Sequence, residues 1–207
     1  MKDLLIIGTG NFSKVVKEYA ARCEAFNKDW QIKGFLISDI DENRDIEGIV
    51  GDLSDYQPEE NDIFICAYVT GTDRENAVRI IENRGGQFVN IIHPLSNICS
   101  SCVLGTGNVI GAFVSLSVNT KIGNHNIFQD HSNLGHDSIV GDYSHFYVGT
   151  IVCGKNRIED RVSVFTGAII YPGIKLESDA VVGAGSVVMR KVKGGTTVMG
   201  NPAKLLE

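Results

Sequence analysis

Proline is scarce in this chain, 4 residues in 207, and tryptophan occurs once, while glycine is plentiful at 23. That balance leaves the turns to be built from glycine and asparagine. Long hydrophobic runs are missing. The opening "MKDLLIIGTGNF" carries a short apolar run that ends in a glycine turn, too short for a signal-peptide core. Nothing approaches the roughly 20 apolar residues of a membrane helix. Positive charge is in deficit, with 19 Lys and Arg against 25 Asp and Glu and a net charge of −6, so no nucleic-acid partner is expected. Five cysteines, an odd number without an export signal, point to a reducing cytoplasm. Cys99 and Cys102 form one CxxC, but no second ligand pair follows, and no metal site is expected there. Hydrophobic content of 43% and charged content of 21% suit a folded soluble chain.

Two segments follow different grammars. Residues 1–93 alternate strand and helix signals. "DLLIIG", "QIKGFLIS" and "DIFICAYV" read as buried strands, and "QFVNIIHP" as a last strand ended by Pro94. "SKVVKEYAARCEAF" has helical spacing through Val15, Val16, Tyr19 and Cys23. "RENAVRIIENRGG" puts Ala77, Ile80 and Ile81 on one face and stops at Gly85. The order predicts a small parallel sheet of Rossmann type, an α/β subdomain.

From Ile98 the chain divides into 16 unbroken hexads whose first position is always Ile, Leu, Val or Phe. The fifth position is small in 15 of the 16, with Ile174 the exception. A fixed short period means a solenoid in which each coil packs on its neighbours, stacked by strand pairing. The large residue fills the interior and the small one fits near a corner. Three hexads per triangular coil give a little over five coils. The spacing leaves the handedness open, and the general crossover rule favours a right-handed path.

The hexads resemble the left-handed parallel β-helix of the hexapeptide acyltransferases, an exception to that rule. "LIIGTGNFSKVV", "GFLISD", "FVNIIHP" and the terminal "GNPAK" extend the resemblance over nearly the whole chain, to the sugar O- and N-acetyltransferases of the sialic-acid and bacillosamine type. That resemblance implies a homotrimer and an acetyl-CoA site between neighbouring β-helices. It also implies division of labour. Residues 1–93 would receive a sugar or nucleotide-sugar acceptor, and 98–207 would carry the acetyl-transfer site.

Site residues carry over one by one. In the bacillosamine type a histidine followed by glutamate is the general base and its helper, which His136 and Asp137 match with Asp for Glu. Nine residues on, Ser144-His145-Phe146-Tyr147-Val148-Gly149 matches the stretch whose histidine binds acetyl-CoA. Further cofactor contacts fall at Gly154, Thr166 and Ala184, and Arg190, Lys191, Lys193 and Lys204 form a basic tail suited to phosphates. Gly10, Asn11, Phe12, Asp39 and Tyr68 are the candidate acceptor residues. "GTGNFS" has Ser13 where a third glycine would complete a dinucleotide fingerprint. Phe12-Ser13-Lys14 instead resembles the sialic-acid O-acetyltransferases, so O-acetylation stands as the alternative to acetylation of an amine.

The chemistry of the residues agrees. Acetyl transfer from a thioester needs a base as the new bond forms, and an imidazole suits that near neutral pH. A carboxylate fixes its tautomer. Adjacent residues on a straight strand point to opposite faces, so His136 and Asp137 meet only if a corner separates them. His93, His125 and His131 match nothing and are expected on the surface or in turns. Trimeric zinc carbonic anhydrases of the γ type share the repeat. His131 and His136 are five apart as two ligands there would be, but Leu95 stands two coils before His131, where the third is needed, so that reading and a non-catalytic scaffold rank below acetyl transfer.

Overall fold

The computed structural model describes residues 1–41 and 46–206. Residues 42–45 and 207, which fall within the two expected segments, lie outside it.

The first segment is a five-stranded parallel sheet with a helix on each face. Its elements are β1 (Lys2–Ile7), α1 (Asn11–Arg22), β2 (Trp30–Ile37), β3 (Ile49–Asp52), β4 (Asp62–Cys66), α2 (Gly71–Asn83) and β5 (Gln87–Phe88). The strand order is β3-β2-β1-β4-β5. A parallel sheet covered on both faces wants unbroken apolar strands, which "LLII" supplies. Leu4 and Ile6 pack with Val16, Tyr19 and Ala20 of α1, while Leu5 and Ile7 pack with Ala77, Val78 and Ile81 of α2.

Two features differ from the sequence reading. β3 was not expected; it is a four-residue edge strand, half-buried, with a register shift against β2. "QFVNIIHP" is not one strand. Gln87–Phe88 pairs with β4, and then β6 (Ile91–Ile92) pairs with Val109–Ile110 as the first rung of the solenoid. Asn90 makes the break: its Oδ1 accepts from Asn108 N at 2.8 Å and its Nδ2 donates to Gly105 O at 2.7 Å, tying the chain to the next coil.

The rest is a left-handed parallel β-helix with three flat faces. Ser115 pairs with Asn133 and Leu116 with Leu134, and the rungs from Ile91–Ile92 to Val187–Val188 repeat this offset of three hexads, while the closing pairing of Val181 with Thr197 is two residues shorter. The first position of every hexad, from Ile98 to Val188, joins one apolar core inside the coils. The fifth position is a buried corner shelf. Asn126 N donates to Asn108 Oδ1 at 2.8 Å, Ser144 N to Asn126 Oδ1 at 2.8 Å and Val162 N to Ser144 Oγ at 3.0 Å, so a small polar side chain there bonds the coil beside it. Ile174, the exception, is partly buried against the core. The fourth position bends the chain. Every sixth residue from Gly107 to Gly185 has positive φ, including His125, His131 and Asp137.

Face one begins with β6, face two with Asn97–Ile98 and face three with Val103–Leu104. The front sheet rests on face one. There the outward residues Ile91, Val109 and Ile127 are fully buried and share a core with α1. Arg74 of α2 pins the contact at the edge between faces three and one. It is completely buried and donates from Nε to His125 O at 2.8 Å and from its terminal nitrogens to the carbonyls of Tyr68, Tyr143 and Ser144.

Candidate active site

His136 follows the face-two strand Asn133–Leu134, and Asp137 makes the turn onto face three. The left-handed conformation of Asp137, φ 57°, swings its side chain back alongside its neighbour. Asp137 Oδ2 lies 2.8 Å from His136 Nδ1. The shorter Asp therefore reaches, because the corner supplies what a straight strand would not. Oδ1 accepts from Asn119 Nδ2, one coil earlier, at 3.1 Å. The hydrogen bond to His136, then that from Asn119, holds the Asp137 carboxyl below its usual range, so it is an anion at neutral pH. An anion on Nδ1 selects the tautomer with the proton there and leaves Nε2 as the lone-pair nitrogen.

One coil later Gly154 lies under the ring. A Cβ built on Gly154 would sit 2.5 Å from His136 Nε2, so glycine makes room for the imidazole. The His136 side chain remains 52% exposed, open to a substrate.

His145 occupies a different part of the molecule. It points outward on face one, where the front sheet covers it to 1% exposure. Its Nδ1 lies 3.0 Å from Val69 O, its ring stacks on Tyr147 at 3.8 Å, and Phe12 lies 5.9 Å away. Burial, then the Arg74 cation, pushes its pKa down to about 3. It is a neutral ring with its proton on Nδ1. Among the described residues, Nε2 is buried without a hydrogen-bond partner.

The cofactor candidates divide between two edges. Gly154 shares the two–three edge with His136. Thr166 and Ala184 lie exposed on the one–two edge, where Gly185 N donates to Thr166 O at 2.9 Å. Arg190, Lys191, Lys193 and Lys204 line a cleft of about 550 Å³ at the far end of the solenoid, and Lys191 pairs with Glu177.

The acceptor candidates lie at the carboxyl ends of the front strands. Asp39 and Tyr68 line a cleft of about 420 Å³ together with Asp52, Ser54, Asp73 and Asn76. Gly10 caps α1, and Asn11 and Phe12 open it. Asp41, missed in the sequence, organises this end. It is buried, accepts from Thr9 N and Ser38 N at 2.9 Å each, and accepts from Tyr68 OH at 2.8 Å. Burial, with the hydrogen bond to Asp41 adding to it, keeps the proton on the Tyr68 phenol. An acid four residues past the end of β2, opposite a glycine turn, was the available signal.

The remaining histidines need correction. His125 and His131 do sit in turns, but His125 is 2% exposed and His93 3% exposed. Phe88 and Tyr143 enclose the His125 ring, and burial, then Arg74, pushes its pKa down to about 4. His131 alone is exposed, stacked on Phe113.

No protein-family model matches the chain. It is 34% identical over 147 residues to GDP-perosamine N-acetyltransferase of Escherichia coli O157:H7, a match covering 68% of this chain and 66% of that relative. It is 27% identical over 109 residues to acyl-[acyl-carrier-protein]–UDP-N-acetylglucosamine O-acyltransferase of Pseudomonas aeruginosa, covering 49% of this chain and 42% of that one. Among solved structures, PerB of Caulobacter crescentus in complex with CoA and GDP-perosamine superposes with a TM-score of 0.88 at 25% identity, covering 100% of this chain and 98% of that one. The acetyltransferase domain of PglB from Neisseria gonorrhoeae in complex with acetyl coenzyme A gives 0.87 at 25% identity, covering 99% of each. The likenesses to the two solved structures span the front sheet and the solenoid together, and the chain belongs to the hexapeptide-repeat sugar N-acetyltransferase family.

Proposed function

We propose that the chain moves the acetyl group of acetyl-CoA to the amine of a nucleotide-activated amino sugar, with His136 as general base and Asp137 as its partner. The carrying observation is the 2.8 Å contact between His136 Nδ1 and Asp137 Oδ2 on an exposed edge, above Gly154. With Nδ1 protonated, Nε2 takes the proton as the sugar amine attacks the thioester carbonyl. The carbon–sulfur bond then breaks, and the imidazolium returns the proton to the CoA thiolate.

The acceptor enters the front cleft. Its carboxylates and Asn76 suit a base edge rich in donors, which agrees with GDP-perosamine in the names of the relatives. In a three-sided coil the two–three edge lies opposite face one, where this chain's own front sheet sits. The acceptor cleft of one copy therefore serves the base of another. Thr166 and Ala184 on the one–two edge of one copy likewise complete the donor groove beside Gly154 of its neighbour. Ile151, Tyr171 and Met189 leave an apolar strip exposed near His136 for such a contact. We take the assembly to be a homotrimer, as a three-faced prism invites.

The reading sets the work in the cytoplasm, which supplies both acetyl-CoA and nucleotide sugars. Five free cysteines agree with a reducing compartment. Among the described residues no helix is long and apolar enough to cross a membrane. The test is acetyl-CoA turnover against GDP-, UDP- and dTDP-linked amino sugars beside sialic acids. Turnover with an amino sugar nucleotide supports the reading; turnover confined to sialic acid hydroxyls overturns it.

A further inference from the structure

The His136–Asp137 pair has a support one coil away. Asp137 presents one oxygen to the imidazole, and its other oxygen is held by Asn119, eighteen residues earlier and one coil below. Asn119 is itself on the bend of that coil, at φ 58°, and its backbone N–H donates to Ser101 Oγ at 3.0 Å. The backbone N–H of Asp137 donates to Val118 O at 3.1 Å, and that of Lys155 to His136 O at 2.7 Å. The main chain of the edge is thus fixed from both sides. What the main chain does not fix is rotation of the short Asp137 side chain about its own bonds. At 46% exposure water competes for both oxygens. One directed donor on Oδ1 is the contact within the edge that keeps Oδ2 turned to Nδ1.

We propose that Asn119 is a positioning residue for acetyl transfer: its side-chain amide clamps the Asp137 carboxylate, which in turn holds the His136 ring with Nε2 free. An amide suits the post in two ways. It donates without adding a charge that would compete with His136 for the carboxylate. It also tolerates the left-handed bend that every coil needs at this position. Asp in place of Glu gives this clamp its purpose, because the shorter side chain has little slack and a small rotation breaks the contact with Nδ1. The inference rests on His136 and Asp137 acting as base and partner.

The test is a double-mutant cycle on the full chain, reading kcat, both KM values and thermal stability. Asn119→Gly keeps the left-handed bend and removes only the amide, so the coil stays folded. It should lower kcat roughly three- to tenfold, with KM for acetyl-CoA and for the acceptor unchanged within about twofold. In an Asp137→Ala background the same substitution should change kcat by less than about twofold, because there is no carboxylate left to hold. Asn119→Asp faces one carboxylate with another and should depress kcat relative to wild type most near neutral pH, with the ratio of variant to wild-type kcat rising as both fall together at lower pH. Asn119→Gln, which retains an amide on a longer arm, should recover part of the lost rate. An unchanged kcat in Asn119→Gly, or a loss of the same size with and without Asp137, overturns the positioning role. A lower melting temperature with kcat per folded molecule intact overturns it too, by reducing Asn119 to a structural rung. If Asp137→Ala alone leaves kcat untouched, the base-and-partner reading itself fails, a result distinguishable from failure of the clamp.

Discussion

Asp137 and His136 are consecutive in the chain yet face each other, Oδ2 to Nδ1 at 2.8 Å, because Asp137 occupies the left-handed bend between two faces of the solenoid. The same bend would be a mere spacer elsewhere on the coil. Here it turns neighbouring residues into a hydrogen-bonded pair. Asp137→Ala should therefore lower kcat by about one to two decades, less than loss of the base itself, while acetyl-CoA binding measured by calorimetry stays near wild type. Equal losses from Asp137→Ala and His136→Ala would show that the carboxylate does more than orient the ring.

Gly154 should be intolerant of even one methyl group. The imidazole occupies the space a Cβ would take, 2.5 Å from Nε2. Backbone strain is not the reason, since its φ is not in the left-handed range. Gly154→Ala is expected to leave the β-helix folded by circular dichroism and to cut kcat at least about tenfold by displacing the ring. A Gly154→Ala enzyme with wild-type kcat would mean that the ring's place over this glycine is unimportant.

Arg74 carries the mechanical link between the carboxyl end of the front sheet and the solenoid. It is a buried cation held by carbonyls on both sides of the junction, from Tyr68 to Ser144. Burial pushes its pKa down to about 10, still well above neutral. Arg74→Met removes the donors and should destabilise the chain by about 3 kcal/mol or more. Chemical denaturation with a midpoint within error of wild type would contradict this.

Acid should loosen the fold before it protonates the buried histidines. His125 and His145 titrate near 6.5 in the unfolded chain but near 4 and 3 when folded. Below about pH 6.5 the unfolded chain takes up protons that the folded one refuses, so stability falls as pH drops from about 6.5 toward about 3, and it is flat with respect to these groups above that window. His125→Phe, which keeps a ring between Phe88 and Tyr143, should flatten part of the slope. Denaturation midpoints at pH 7.5 and pH 5 decide the matter, and an identical drop in the variant would remove His125 as a contributor.

The solenoid was legible because its first positions all point inward, a pattern the sequence repeats without a break. Its corners were not. The left-handed residue is Gly at 107, 149 and 167 but Phe113, His125, Asp137 and Lys155 elsewhere, so no residue type marks the bend. The burial of His125 and His145 was hidden for another reason. Both lie where the front sheet lands on the solenoid, a contact made between segments distant in sequence. A hint was present in the outward positions of face one: Val109 and Ile127, eighteen residues apart, are apolar where solvent would favour polar side chains. β3 escaped notice because four half-buried residues containing Gly51 carry almost no periodic signal. Arg74 acts through main-chain carbonyls, which leave no pattern in side-chain spacing.

The most direct measurement is acetyl-CoA turnover by His136→Ala on a nucleotide-linked amino sugar, beside the wild-type chain. Loss of about two to four decades in kcat, with acetyl-CoA affinity little changed, is expected of a general base whose donor contacts lie elsewhere. Near-wild-type turnover by His136→Ala on an acceptor the wild type uses would contradict the assignment of His136 as the base.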